Sequence, residues 1–203
     1  MASFSVSNDF VEVSSVRVLQ GFGGGTQQGI IKGMIEAADA GADVISMSLG
    51  GRSNASRQKA YEEAVKYCNK KGAIVVVAAG NSNADAKNYC PANTPGVITV
   101  SAVDENLDRA KFSNYVNAMK MGIAAPGVNI YSTIPDNKYA SFNGTSMATP
   151  YVAGLLGLMK SIRPDLDTKE AYKILSKSGK KTNQPKETGP FIQPAEAFKM
   201  IID

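Results

Sequence analysis

The run Ile74-Val75-Val76-Val77-Ala78-Ala79 constrains this chain more than any other stretch. A strand with one wet face alternates apolar and polar residues. A continuous apolar run closed by Gly72 and Gly80 instead marks a strand covered on both faces, as in parallel sheets. Val44 to Leu49 and Val97 to Val103 repeat the pattern, and Val16-Arg17-Val18-Leu19 reads as a shorter β run. Helical spacing fills the gaps. Thr26 is placed to N-cap a helix carrying Ile30, Ile31, Met34, Ile35 and Ala38, ended by Gly41. A second helix aligns Tyr61, Ala64, Val65 and Cys68 and stops at Gly72. Strands alternating with helices predict βαβ units, hence an α/β fold with a mainly parallel sheet.

Further along, a helix is expected from near Ser146 through Tyr151, Val152, Leu155, Leu156 and Met159. Its Ala153, Gly154 and Gly157 suit a helix only where another backbone packs very close, and Pro150 sits early enough to be tolerated. Asp167 to Ser176 reads as an amphipathic surface helix, Lys177 to Pro190 as a polar loop, and Pro194 to Ile202 as a terminal helix. Without internal repeats or an interdomain linker, residues 1–203 read as one domain.

Composition removes several function classes. With 203 residues, 43% of them hydrophobic, the chain can bury one sizeable core. The net charge of +4 comes from scattered lysines and arginines, with no basic stripe interleaved with aromatics, so nucleic-acid binding is not expected. No stretch reaches the roughly 18 apolar residues of a membrane span. The first twenty residues lack a basic region followed by an apolar one, so no secretory leader is expected. Two cysteines, Cys68 and Cys90, are too few for a disulfide scaffold and are not spaced as metal ligands. Each is expected as a buried free thiol, with a mutual disulfide as the alternative. The chain contains no histidine.

Asn143-Gly144-Thr145-Ser146-Met147-Ala148-Thr149-Pro150-Tyr151-Val152-Ala153-Gly154 carries the chemistry. Ser146 lies between a Gly-Thr turn and the start of a buried helix. Unpaired N–H groups and the helix dipole there stabilise negative charge on a bound oxygen, which suits a nucleophile. A serine at that place can equally be a simple N-cap.

The full string resembles the G-T-S-M-A-[ST]-P-H-V-A-G signature around the nucleophile of the subtilisin-like serine proteases, with Tyr151 in place of the usual histidine. Three further segments resemble that family in its own order: Val44 to Gly51, Val76-Val77-Ala78-Ala79-Gly80-Asn81, and Ala124-Ala125-Pro126-Gly127-Val128. The resemblance covers roughly residues 16 to 175. It implies the three-layer subtilisin-like fold with its N-terminal part missing, and residues 1–13 read as an atypical opening segment.

On this resemblance Ser146 would attack the scissile carbonyl, and the Asn81 side chain with the Ser146 N–H would bind the oxyanion. Taken alone, Asn81 is also an ordinary turn asparagine after a strand. Gly23, Gly24 and Gly25 match one segment that flanks an extended substrate, and Ser48, Leu49 and Gly50 match the other. Ala78, Ala79 and Gly80 complete the cleft walls. Tyr89 or Cys90 would narrow the base of the specificity pocket, giving a preference for small or medium apolar side chains. Cys90-Pro91 aligns with a position that is commonly a cis proline.

The resemblance also has gaps. The family's aspartate lies in a D-[ST]-G segment and its histidine in H-G-T, and neither string occurs here. A serine hydroxyl without an adjacent base is scarcely nucleophilic at neutral pH, so the chain alone is expected to be inactive. Calcium is common in the family, but Met119-Lys120-Met121-Gly122-Ile123 has no carboxylate before the A-P-G turn, so no metal and no other cofactor are expected. The absent segment would supply the family's central strand. Partners expected besides a peptide or protein substrate are therefore an N-terminal fragment carrying the aspartate and histidine, or a second copy exchanging strands. Alternatively, Ser3-Phe4-Ser5-Val6 fills the gap.

Two competing functions follow from these residues. One is a catalytically dead subtilisin-fold protein that binds peptides or regulates a protease. The other is a dinucleotide-binding enzyme, resting on Gly21 to Thr26 and Asp43. The second is weak, because Thr26 stands where the glycine fingerprint needs Gly or Ala.

Overall fold

The computed structural model describes residues 10–21 and 23–202. Helix α1 (Gln27–Asp39) begins where Thr26 Oγ1 accepts the Gly29 N–H at 3.1 Å, and Gly41 leaves it in the left-handed region. Strand β1 (Val44–Met47) follows, then a two-residue strand β2 (Gly51–Arg52). Helix α2 (Ala55–Lys70) is capped by Asn54. Strand β3 (Ile74–Ala78) is buried at every position, as its unbroken apolar run requires. A short 3₁₀ turn leads into β4 (Tyr89–Cys90), then β5 (Val97–Val103) and β6 (Gly122–Pro126). Strands β7 (Ile130–Ile134) and β8 (Lys138–Phe142) form an antiparallel hairpin. Four helices close the chain: α3 (Thr145–Ile162), α4 (Thr168–Ser178), the single turn α5 (Pro185–Thr188) and α6 (Pro194–Ile202).

The main sheet has the order β1-β3-β5-β6, parallel throughout. Alternate residues of β3 serve opposite layers. Ile74 and Val76 pack with Leu155, Leu156 and Met159 of α3 on one face, and Val75 and Val77 pack with Met34 of α1 and Val65 of α2 on the other. This is the three-layer α/β arrangement. The outer side of β6 is covered, because Ala124 donates to Pro190 and accepts from Ile192. At the opposite end β1 pairs with β3 alone among the described residues, and Ser46 is exposed.

Three sequence expectations need correction or qualification. Val16 to Leu19 form no strand. An extended run needs a neighbour to take its N–H and C=O groups, and here Val18 instead packs at Gly33 of α1, where an added Cβ would lie 2.4 Å from Val18 Cγ1. Ala124 to Pro126, read as part of a turn, lie within β6. Ser3 to Val6 lie outside the described residues. Gly157 meets a side chain instead of the expected backbone, since a Cβ there would lie 3.2 Å from Val11 Cγ1. Both cysteines are free and buried, and the Cys90-Pro91 peptide is cis.

Candidate active site

Register in the parallel sheet assembles the site. Met47 is level with Val77, so Ser48–Gly50 and Ala78–Gly80 leave adjacent strands side by side. They do so at the carboxyl end of the sheet, where open α/β folds place their ligands. Helix α3 starts at the same end, and its first residues touch both segments. The Ser48 hydroxyl donates to the Ser146 carbonyl at 2.8 Å, and the Ser146 hydroxyl lies 3.4 Å from the Ser48 carbonyl.

Asn81 is fixed from the helix side. Its side-chain oxygen accepts from the Thr145 N–H and from the Thr145 hydroxyl, each at 2.9 Å. The same hydroxyl accepts the Gly80 N–H at 3.1 Å. Because the oxygen is engaged, the Asn81 amide nitrogen turns away from Thr145, and it donates to no acceptor among the described residues. It lies near Gly144. A Cβ built on Gly144 would lie 3.6 Å from both Asn81 Nδ2 and the Ser146 nitrogen. Two donor nitrogens thus lie near one point at a helix N-terminus, a place that favours an oxygen gaining negative charge.

Buried Asn114 holds the loop that carries Asn81. Its side chain donates to the Ala79 carbonyl at 2.8 Å and accepts from Ser82 and Ala84 at 3.0 and 3.1 Å. Gly80 meets this side chain in the left-handed region, with φ +101°, and an added Cβ would lie 2.5 Å from Asn114 Nδ2. Sequence reasoning passed over both Thr145 and Asn114. Thr145 was visible as part of the nucleophile string, but nothing local marks Asn114 as the support of a loop thirty residues earlier.

The structure brings Ser146, Asn81, Ser48 and Gly80 together. Gly23, Gly24 and Gly25 hydrogen-bond locally instead. Gly23 donates to Gln20, and Gln20 donates to Gly24. Gly25 is demanded by its own neighbours, since a Cβ there would lie 2.6 Å from the Val18 carbonyl oxygen. That close approach is internal to the chain, whatever else the segment meets.

This constellation and the fold around it define a subtilisin-like α/β domain. The description "Subtilase family" matches residues 8–190, and the chain belongs to that family. It is 46% identical to thermitase of Thermoactinomyces vulgaris over 149 residues, which are 73% of this chain and 51% of thermitase. It is 41% identical to subtilisin DY of Bacillus licheniformis over 169 residues, 82% of this chain and 60% of the relative. A solved protease structure from Pseudoalteromonas arctica superposes with a TM-score of 0.79 at 32% identity, covering 88% of this chain and 60% of that one. The chain spans about half the length of the curated relatives it matches.

Proposed function

We propose that this chain supplies the nucleophile and oxyanion hole of a subtilisin-type serine endopeptidase and is incompetent without a base from another polypeptide segment. The observation that carries the reading is that Asn81 Nδ2 and the Ser146 nitrogen lie 3.6 Å from one point, the place of a Cβ on Gly144, at the start of the helix that bears Ser146. Attack by Ser146 Oγ on a peptide carbonyl would form an oxyanion there. Loss of one such donor costs about 10²–10³ in rate, a figure measured on a subtilisin asparagine. The hydroxyl proton needs an acceptor at the moment of attack. Here it faces the Ser48 carbonyl, a neutral amide oxygen with almost no basicity. With no histidine in 203 residues, the imidazole must come from elsewhere.

The partners in this proposal are a peptide or protein substrate and a segment bearing the missing aspartate and histidine, or a second copy. Nucleic acid and membrane have no part in it. Calcium does not fit the residues present: Met119 to Ile123 offer no carboxylate, and no group of three potential ligand side chains gathers among the described residues.

Fluorophosphonate labelling tests the proposal. The purified chain should label negligibly over hours, and adding a polypeptide that carries the D-[ST]-G and H-G-T segments should switch labelling on. Ser146→Ala should abolish it. Rapid stoichiometric labelling of the chain alone would disprove incompetence. Labelling that survives Ser146→Ala would disprove the nucleophile.

A further inference from the structure

We infer that the fold assembles a docking surface for a carboxylate-rich polypeptide segment from Lys120, Lys173, Lys177, Lys180, Lys181 and Lys186. The surface lies at the end of the sheet away from Ser146, and it is independent of the catalytic reading.

The six lysines come from separate stretches of sequence and meet around the start of β6. Lys120 precedes that strand by two residues. The Tyr172 hydroxyl of α4 donates to the Gly122 carbonyl at 3.2 Å, so the helix bearing Lys173 and Lys177 lies across the first residue of β6. Lys180 follows α4 and exchanges hydrogen bonds with Phe191 at 2.8 and 2.7 Å, and Phe191 lies beside Ala124 of β6. Lys186 sits on α5, where the carbonyl of the next residue, Glu187, accepts the Val116 N–H at 2.7 Å. All six are exposed. In a parallel sheet β6 starts at the end opposite to the one from which Ser48 and Gly80 emerge, so a chain docked here leaves Ser146 uncovered.

The charges of this surface are not balanced. Residues 171–186 hold five lysines and no aspartate or glutamate. Glu187, the next acid, is engaged by Arg109 at 2.8 Å. No ion pair among the described residues includes any of the six lysines. The chain has 22 basic and 18 acidic residues, so without these six its excess of four positive charges would become a deficit of two. Lys173 and Lys177 are also i,i+4 neighbours, a like-charge arrangement that costs helix stability and that a bound anion would relieve.

The chemistry of the surface selects among anions. It is built from lysine, without the planar arginine fork that grips phosphate. No exposed aromatic ring lies among the lysines to stack a base, and no exposed large apolar side chain to enter a lipid layer. What remains is a spread of hydrated point charges, which suits a flexible chain whose carboxylates need no fixed geometry. Alternate residues of an extended peptide are about 6.6 Å apart. That is close to the roughly 5–6 Å between i,i+4 neighbours on a helix.

The test is fluorescence anisotropy of a labelled decaglutamate with the full chain in about 20 mM salt, where the screening length is roughly 20 Å. The native chain should bind it, decaglutamine should not bind, and affinity should fall steeply as salt rises. Lys173→Gln, Lys177→Gln and Lys180→Gln together should weaken binding at least ~10-fold. Lys59→Gln, Lys66→Gln and Lys70→Gln on α2 remove the same charge elsewhere and should change binding less than ~2-fold. Every replaced lysine is exposed, so both variants keep the fold, as circular dichroism checks. Absence of decaglutamate binding by the native chain overturns the proposal. So does equal weakening in the two triple variants, which would reduce the effect to net charge. Tighter binding of polygalacturonate or of a single-stranded oligonucleotide than of decaglutamate overturns the assignment to a polypeptide.

Discussion

The Ser48 hydroxyl hydrogen-bonds the Ser146 carbonyl at 2.8 Å, the acceptor that Pro150 cannot serve from within helix α3. In a regular helix the N–H of residue 150 would take that carbonyl, but proline has none. The segment after β1 therefore completes the first turn of helix α3, which ties the position of Ser146 to the end of strand β1.

That dependence can be measured. Ser48→Ala should lower unfolding free energy by about 0.5–1.5 kcal/mol, the net worth of a typical hydrogen bond, because the pair is only partly buried. In a Pro150→Ala background the new N–H can pair with the Ser146 carbonyl, so the penalty should shrink by at least ~0.5 kcal/mol in a double-mutant cycle. Equal penalties in the two backgrounds, read from urea unfolding, would show that the carbonyl does not depend on Ser48.

The two thiols should be inert in the native state. Burial pushes Cys68 up to about 11, and burial likewise raises Cys90. Reagents attack the thiolate, so at pH 8 neither cysteine should react quickly with a disulfide reagent, and both should react in denaturant. A fast native thiol would show that one of these sites opens readily.

Asp39 predicts part of the acid limb of stability. The Tyr67 hydroxyl at 2.6 Å and then Lys71 at 2.9 Å hold its carboxyl below the usual value. A depressed folded value contributes stability above the unfolded pKa and loses it as pH falls through the folded one. Asp39→Asn should therefore narrow the drop in Tm between pH 6 and pH 3, and added salt should weaken the effect because the pair is exposed. An unchanged drop at low salt would remove Asp39 from the account.

Strand β1 sets an expectation about assembly. Its outer side carries backbone groups that no described residue pairs, and such an edge invites another strand. Val11 lies over Gly157 of α3, so deleting residues 1–13 uncovers part of that helix. The deletion should lower Tm and promote concentration-dependent association, followed by light scattering. A deleted chain that stays monomeric and melts as before would mean that the Val11 contact adds nothing to the cover of α3.

What could be read without coordinates was whatever is written locally. The unbroken run at Ile74 can only be a strand buried on both faces, and Thr26 and Gly41 bracket α1 because capping chemistry acts within a few residues. The nucleophile string marked Ser146 by its own residues. Tertiary structure decided the rest. Val16 to Leu19 has the composition of a strand, yet strand formation depends on a partner that composition does not supply. The orientation of the Asn81 amide follows from Thr145, 64 residues away, and the conformation of its loop from Asn114. Tyr89 faces Arg52 only because the β2–β4 ladder pairs two segments 37 positions apart. Spacing along a chain specifies periodicity and caps. The meeting of Ser48, Gly80, Asn81 and Ser146 arises from packing between segments that no short-range pattern connects.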